Sequence, residues 1–306
     1  MSDVKIDSSG NILAERLQRG EFVFTGEIVP PVSGGSQELL ELAAPFKDRL
    51  SGLNVTDGPG ARVHMSSLAA SGILALNGHT PIVQLTCRDR NRIALQADLL
   101  GASALGVRNA LFLTGDDPSA GDQPEAKAVF DAKSHDLLAW SRTMSSDGVL
   151  PSGRAITSQP QFFNGAADVP IDPPKDWVPA ELIRKADAGA HFIQTQLCYD
   201  INIVKAYAAA LTELGLTERL YFLLGTGPLA SARSARWMNE NLFGVQVPDD
   251  IIERLEHASD PKAEGRQLCQ AFVDELRDVP GIHGVHLMAP GNVGSLPSLL
   301  DDLTAA

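Results

Sequence analysis

The residues able to do chemistry in this chain stand at the ends of short apolar runs. Glu21 to Ile28 reads Glu-Phe-Val-Phe-Thr-Gly-Glu-Ile, and Pro30-Pro31 stop it. Glu27 is therefore an acid inside a strand-like segment. A carboxyl among apolar residues is costly unless it has a partner or a task. Burial raises its pKa, which suits a group that must hold and then release a proton near neutral pH. An ordinary half-exposed strand glutamate gives the same local pattern. A second run ends in Thr114-Gly115-Asp116-Asp117. A glycine there lets a planar or phosphate-bearing ligand approach the backbone, and the Asp beside it can act on that ligand; an Asp-Gly turn is the alternative. Gln194-Thr195-Gln196 closes a third run with neutral donors and acceptors, suited to an amide-rich heterocycle. Thr56-Asp57 and Gln84-Leu85-Thr86-Cys87-Arg88-Asp89 offer further hydrogen-bonding groups, or turn and cap residues.

Several reaction classes lack their signature. There is no GxGxxG after a strand, no P-loop, no HExxH and no GxSxG. The histidines do not fall at metal-ligand spacing, so no metal is expected. His191 and His286 lie in strand-like runs and read as packing residues. Cys87 reads as a small apolar residue, and Asp172 and Lys175 as solvated loop charges.

The elements that must carry these groups alternate. Strand-like runs occur at 21–28, 52–56, 81–86, 109–113, within 155–167, and at 191–196, 220–224 and 284–288. Helical stretches fall between and after them, near 36–47, 64–76, 92–100, 132–145, 178–188, 201–214, 230–240, 249–257, 261–277 and 296–303. Eight short apolar strands, each followed by helix, predict an α/β fold with a parallel sheet. In 306 residues they fit a single closed (β/α)8 TIM barrel. One catalytic domain is expected over 1–306, with about 1–20 as an N-terminal extension. In such a barrel the reactive groups sit at the carboxyl ends of the strands.

Composition narrows the partners. The net charge of −13 argues against a nucleic-acid binder, which needs a basic face. Hydrophobic residues at 44% exclude a disordered chain. No apolar run reaches the ~18 residues of a membrane span, and the polar first residues do not read as a secretory signal. Cys87, Cys198 and Cys269 form neither a disulfide framework nor a CxxC pair. A reduced, cytoplasmic protein is expected.

The strand ends, taken in order, resemble a known family. They are Phe24-Thr25-Gly26-Glu27 with Pro30-Pro31, Asn54-Val55-Thr56, Leu85-Thr86-Cys87-Arg88-Asp89 and Leu113-Thr114-Gly115-Asp116. Arg184-Lys185-Ala186-Asp187-Ala188-Gly189-Ala190, Gln194-Thr195-Gln196 and Tyr199-Asp200 come later in the chain. This is similar to the methylenetetrahydrofolate reductase family in its short, catalytic-domain-only bacterial form, from about Phe22 to Gly294. The resemblance implies noncovalent FAD, reduced by NAD(P)H and reoxidised by 5,10-methylenetetrahydrofolate to give 5-methyltetrahydrofolate. By position it makes Glu27 the general acid toward folate N10, and Asp116 an acid near flavin and pterin. It puts Gln196, Thr25 and Tyr199 at the substrate. It puts Thr56, Gln84, Thr114, Gly115, Asp116, Ala166, Asp168 and Lys185 at the flavin. Many relatives have His at Gln84 and Arg at Thr114; Val178 and Glu181 replace an Asp and an Asn that hold FAD in one branch. Ser234 and Met238 replace a Gln and a Phe that touch the nicotinamide. Homo-oligomers are common in the family. Two alternatives stay open: an enzyme working in the oxidative direction or without flavin, and a binding subunit that needs a partner protein.

Overall fold

The computed structural model describes residues 10–304. Its strands are β1 Val23–Ile28, β2 Gly52–Val55, β3 Pro81–Thr86, β4 Asn109–Leu113, β5 Phe163–Asp168, β6 Phe192–Leu197, β7 Tyr221–Thr226 and β8 Gly284–Leu287. They form a closed barrel in chain order, the (β/α)8 arrangement. The helices are α1 Ile12–Gln18, α2 Ser36–Ala43, α3 Ser67–Leu76, α4 Arg92–Ala104, α5 Ser134–Ser146 and α6 Ala180–Ala188. They continue as α7 Ile201–Glu213, α8 Ala232–Asn241, α9 Asp249–His257, α10 Pro261–Arg277 and α11 Leu296–Thr304. Contacts group into two units. The first takes in residues up to Arg16, Ile28–Ala167 and Pro179–Phe192; the second takes in Leu17–Glu27, Asp168–Val178 and the chain from Ile193.

In the first unit β3 is the pivot. All six of its residues are buried, as expected for a strand covered on both faces. It pairs in parallel with β2, Leu53 opposite Pro81, and with β4, Ile82 opposite Asn109. β4 continues to β5, Asn109 opposite Phe163. The small residues of β5 have a cause, since a Cβ on Gly165 would lie 2.3 Å from Cζ of Phe192. Part of the expected N-terminal extension, residues 1–9, lies outside the described residues. Its remainder is held to the barrel rather than forming a loose arm. Asn11 Oδ1 accepts from the N–H of Ala14 at 3.3 Å and its Nδ2 donates to the carbonyl of Arg108 at 3.2 Å. Leu13 and Ala14 of α1 are fully buried.

In the second unit β8 pairs on one side with β1, Val23 opposite Gly284, and on the other with β7, Leu223 opposite Gly284. Gly284 is required there, because a Cβ would meet the Val23 carbonyl oxygen at 2.2 Å. An apolar cluster including Leu197, Leu229, Met238, Ile252 and Leu255 seats α8 and α9. α10 starts at Asp260, whose side chain accepts from the N–H groups of Lys262 and Ala263. The three cysteines are free and buried. Burial pushes the Cys87 thiol up to about 11 and Cys269 to about 12. No helix among the described residues is long and apolar enough to cross a membrane.

Candidate active site

In the first unit the ends of β2, β3 and β4 share an ionic network. Asp57, just past β2, accepts from the backbone N–H of Thr86 at 2.8 Å, the Thr86 hydroxyl at 2.9 Å and the Ser67 hydroxyl at 3.0 Å. Arg90 also pairs with it, and reaches Asp98 at 3.0 Å with its other nitrogen. Arg88, nearly buried, forks onto Asp89 at 2.7 and 2.8 Å and donates to the Gly58 carbonyl at 3.0 Å. Asp116 stands exposed beyond β4, and its Oδ2 accepts from the N–H of Gly60 at 2.9 Å. Gly60 turns left-handed at φ 62°, which aims that N–H. Gly115 is shaped by the fold itself: φ is 93°, and a Cβ would meet the Cβ atoms of Thr86 and Arg88 at 3.0 Å. Thr114 is exposed, Gln84 and Ala166 are buried in their strands. Thr56 is buried too, and its hydroxyl has no hydrogen-bond partner. Lys185 on α6 donates to the carbonyl of Ala167 at 2.6 Å.

The second unit holds a cluster of neutral groups. Thr25 of β1 is fully buried. Its Oγ1 lies 3.3 Å from the Val285 carbonyl, 3.0 Å from His286 Nδ1 and 3.1 Å from Gln194 Nε2. Gln194 Nε2 is also 3.3 Å from His286 Nδ1. The other ring nitrogen of His286 is 3.9 Å from Glu27 Oε2, and the Glu27 side chain keeps 27% of its surface exposed. Burial pushes the His286 pKa down to about 3, so this imidazole is neutral at pH 7. Gln196 donates from Nε2 to the Phe243 carbonyl at 3.1 Å and accepts at Oε1 from the N–H of Leu197 at 2.9 Å. Asp168 accepts a short hydrogen bond from Tyr207, whose phenol burial pushes well above its ordinary value. Tyr199 is buried and lines a cavity of about 180 Å³ with Leu229, Cys269 and Phe272.

A profile of the methylenetetrahydrofolate reductase family matches residues 12–303. The chain belongs to this family. It is 25% identical to a probable methylenetetrahydrofolate reductase (NADPH) of Caenorhabditis elegans over 79% of this chain and 35% of that one. It is 26% identical to methylenetetrahydrofolate reductase 2 of Schizosaccharomyces pombe over 90% of this chain and 44% of that one. The chain thus spans less than half the length of these curated relatives. Among solved structures, a Clostridium thermocellum protein described as binding two copies of 5-methyl-5,6,7,8-tetrahydrofolic acid superposes with a TM-score of 0.64 at 15% identity. That match covers 96% of this chain and 99% of the other. DmoA from Hyphomicrobium sulfonivorans superposes at 0.53 and 10% identity, covering 93% and 88%. Both share the fold.

For this member of the methylenetetrahydrofolate reductase family, the sequence reading missed the placing of one residue. His286 reads as packing, yet it touches Thr25 and Gln194 and faces Glu27. A histidine in an otherwise apolar Gly-Val-His-Leu strand was the available signal, since a buried imidazole needs partners. His191, read the same way, does pack: its ring stacks on Phe163 at 5.2 Å, and its Nδ1 accepts from the N–H of Asn164 at 2.8 Å.

Proposed function

We propose that the chain reduces 5,10-methylenetetrahydrofolate to 5-methyltetrahydrofolate, with NAD(P)H as electron donor and FAD as the intermediary. The observation that carries this reading is the setting of Glu27. It is an acid at the end of a barrel strand, mostly withdrawn from water, beside an imidazole too deeply buried to become a cation. Such a carboxyl is suited to carry a proton to a substrate near neutral pH. The ligand recorded with the Clostridium thermocellum protein is of the class proposed here.

The residues fit a flavin. The orphaned Thr56 hydroxyl needs a polar ligand atom or water. Lys185 spends one of its three ammonium protons on Ala167 and keeps two for a phosphate. Gln84, Thr114, Gly115 and Asp168 complete the set, and Ala166, being buried, contributes backbone. A flavin held there, once reduced by NAD(P)H, would supply the hydride that the methylene carbon of the folate takes up. Glu27 donates its proton to folate N10, so the bond from N10 to the methylene carbon opens. Asp116, with Oδ2 fixed by Gly60, offers its other oxygen to the pterin. The Gln196 amide has one N–H and one lone pair left after its bonds to Phe243 and Leu197, a matched pair for a pterin edge. Thr25 is buried and braces Gln194 and His286, and Tyr199 is buried beside the cavity it lines; both stand at substrate positions by resemblance to the family. We read residues 1–306 as one catalytic domain and place it in a reducing, cytoplasmic setting, where three unpaired thiols are at home.

The test is a spectrum and an assay on the purified chain. A yellow protein whose flavin NAD(P)H bleaches, and which turns over NAD(P)H repeatedly only when the folate is present, supports the reading. A colourless active protein means flavin-free chemistry, and a yellow inactive one means a missing partner. Running 5-methyltetrahydrofolate with an electron acceptor reads the opposite direction.

A further inference from the structure

The cavity of about 180 Å³ in the second unit is walled by the segments after β6 and β7 and by α9 and α10. Neither Glu27 nor Gln196 lines it, and Tyr199 alone is shared with the substrate positions implied by the family. The backbone around it is already in contact, which keeps the walls from closing in. A Cβ on Gly265 of α10 would lie 1.8 Å from the Leu229 carbonyl oxygen, but for the Gly265 hydrogen that wall could not form; a Cβ on Gly227 would lie 1.7 Å from the Met288 carbonyl oxygen. The floor is Leu229, Leu268, Cys269 and Phe272, with the Tyr199 phenol among them. Burial pushes that phenol well above its ordinary value, so it stays protonated and able to donate. No group among the described residues accepts from it, although a buried phenol calls for a partner. The mouth opens at the exposed residues Asp250, Ala271 and Glu275. Arg254 beside them spends its charge on Glu264 at 2.6 Å, and Lys205 stands 4.0 Å from Glu275. Asp250 has no counter-ion among the described residues, so the rim is negative.

Size and lining together choose the occupant. An apolar cavity of roughly 150 Å³ stays dry and takes one benzene ring. Water needs about two to four polar partners, and this floor offers one strong donor. A ring bearing a carboxylate would carry its charge past a negative rim into an apolar floor, at high cost. We propose that the cavity binds one neutral aromatic ring with a single hydroxyl or other acceptor, the ring lying against Leu268 and Phe272 and the acceptor meeting the Tyr199 hydroxyl. The simplest such molecule is phenol.

Phenol, benzene and benzoate, each titrated into the full-length protein and followed by ligand-observed NMR, test this. Phenol should saturate one site with a Kd on the order of 1 mM or tighter. Benzoate should bind roughly tenfold more weakly or not at all. Tyr199→Phe should weaken phenol roughly fivefold to tenfold, the worth of one hydrogen bond, and leave benzene unchanged. Ala271→Trp, at an exposed position of α10 on the mouth, should keep the wild-type melting temperature and abolish binding of both rings. Phenol uptake that never saturates overturns the proposal, and so does benzoate binding as tightly as phenol. Equal weakening of phenol and benzene in a folded Tyr199→Phe removes the phenol from the site. Phenol binding that survives Ala271→Trp places the ring elsewhere, in the folate or flavin site, and overturns the proposal as well. Should Tyr199→Phe fail to fold, the benzoate control and Ala271→Trp still decide. None of these readouts depends on turnover, so failure of the proposed activity and failure of this site are told apart.

Discussion

Asp57 and Glu27 are both carboxylates at the mouth end of barrel strands, and their surroundings make them opposites. Asp57 is met by three hydrogen bonds from Thr86 and Ser67 and by the Arg90 guanidinium. Three of its four recorded donors converge on Oδ2 and the Ser67 hydroxyl takes Oδ1, so the carboxylate is committed to tying neighbouring segments together. Glu27 Oε2 faces the His286 ring, which in turn touches the Thr25 hydroxyl and the Gln194 amide. The difference teaches that chemistry is assigned by what surrounds a carboxyl and not by its place on the strand.

The sharpest way to break this comparison is Glu27→Gln. Folate turnover should fall by about 10²- to 10⁴-fold, the usual worth of a general acid, while NAD(P)H-to-flavin reduction and the melting temperature stay near wild type. If stopped-flow finds both half-reactions intact, the contrast with Asp57 has no functional content. Asp57→Ala should do the reverse. It leaves Arg90 with Asp98 alone and strands the Thr86 N–H, and urea titration should show a loss of about 3 kcal/mol. A stable Asp57→Ala protein that has lost ligand binding would move Asp57 into the site. Acid provides the third test, with one buried histidine in each unit. His286 titrates at about 3 and His191 at about 4, both lowered by burial from an unfolded value of 6.5. The unfolded chain therefore binds protons first. The stability contributed by each neutral ring is full above about pH 6.5 and is lost as pH falls through the window down to 3 or 4. Each histidine should account for about 2 kcal/mol between about pH 6.5 and about pH 5. His191→Gln should flatten that slope by its own share, and an unchanged slope would show that the ring is not buried neutral. The smallest effect is expected from Asp116→Asn. The amide still accepts from Gly60, so the fold is untouched, and both half-reactions should slow roughly fivefold to tenfold, about 1 kcal/mol in barrier.

The fold was legible because its strands are short apolar runs closed by Gly, Pro and Asp. Pro81–Thr86 and Asn109–Leu113 could be bounded to the residue. β5 was hard to bound inside 155–167, since Phe-Asn-Gly-Ala-Ala-Asp lacks β-branched residues; its small side chains answer to the Phe192 ring, which no local pattern reveals. α1 escaped because seven residues give too little periodicity to set against a polar sequence. Glu27 could be singled out as an acid in an apolar strand. His286 stood out only as a polar residue in an apolar strand, and its contacts were hidden because its partners Gln194 and Thr25 lie 92 and 261 residues away. The commitment of Asp57 to structure was equally hidden, since its donors come from two other elements. The orphaned Thr56 hydroxyl became visible only with its burial.

The buried cysteines have a practical side. With Cys87 fully shielded, Cys198 and Cys269 nearly so, and burial raising all three thiols, almost no thiolate forms at neutral pH and little of it meets solvent. Maleimides and haloacetamides should pass the native chain by. A single cysteine introduced on the surface, for a fluorophore or a spin label, would then report from one known place without any of the natural three being removed.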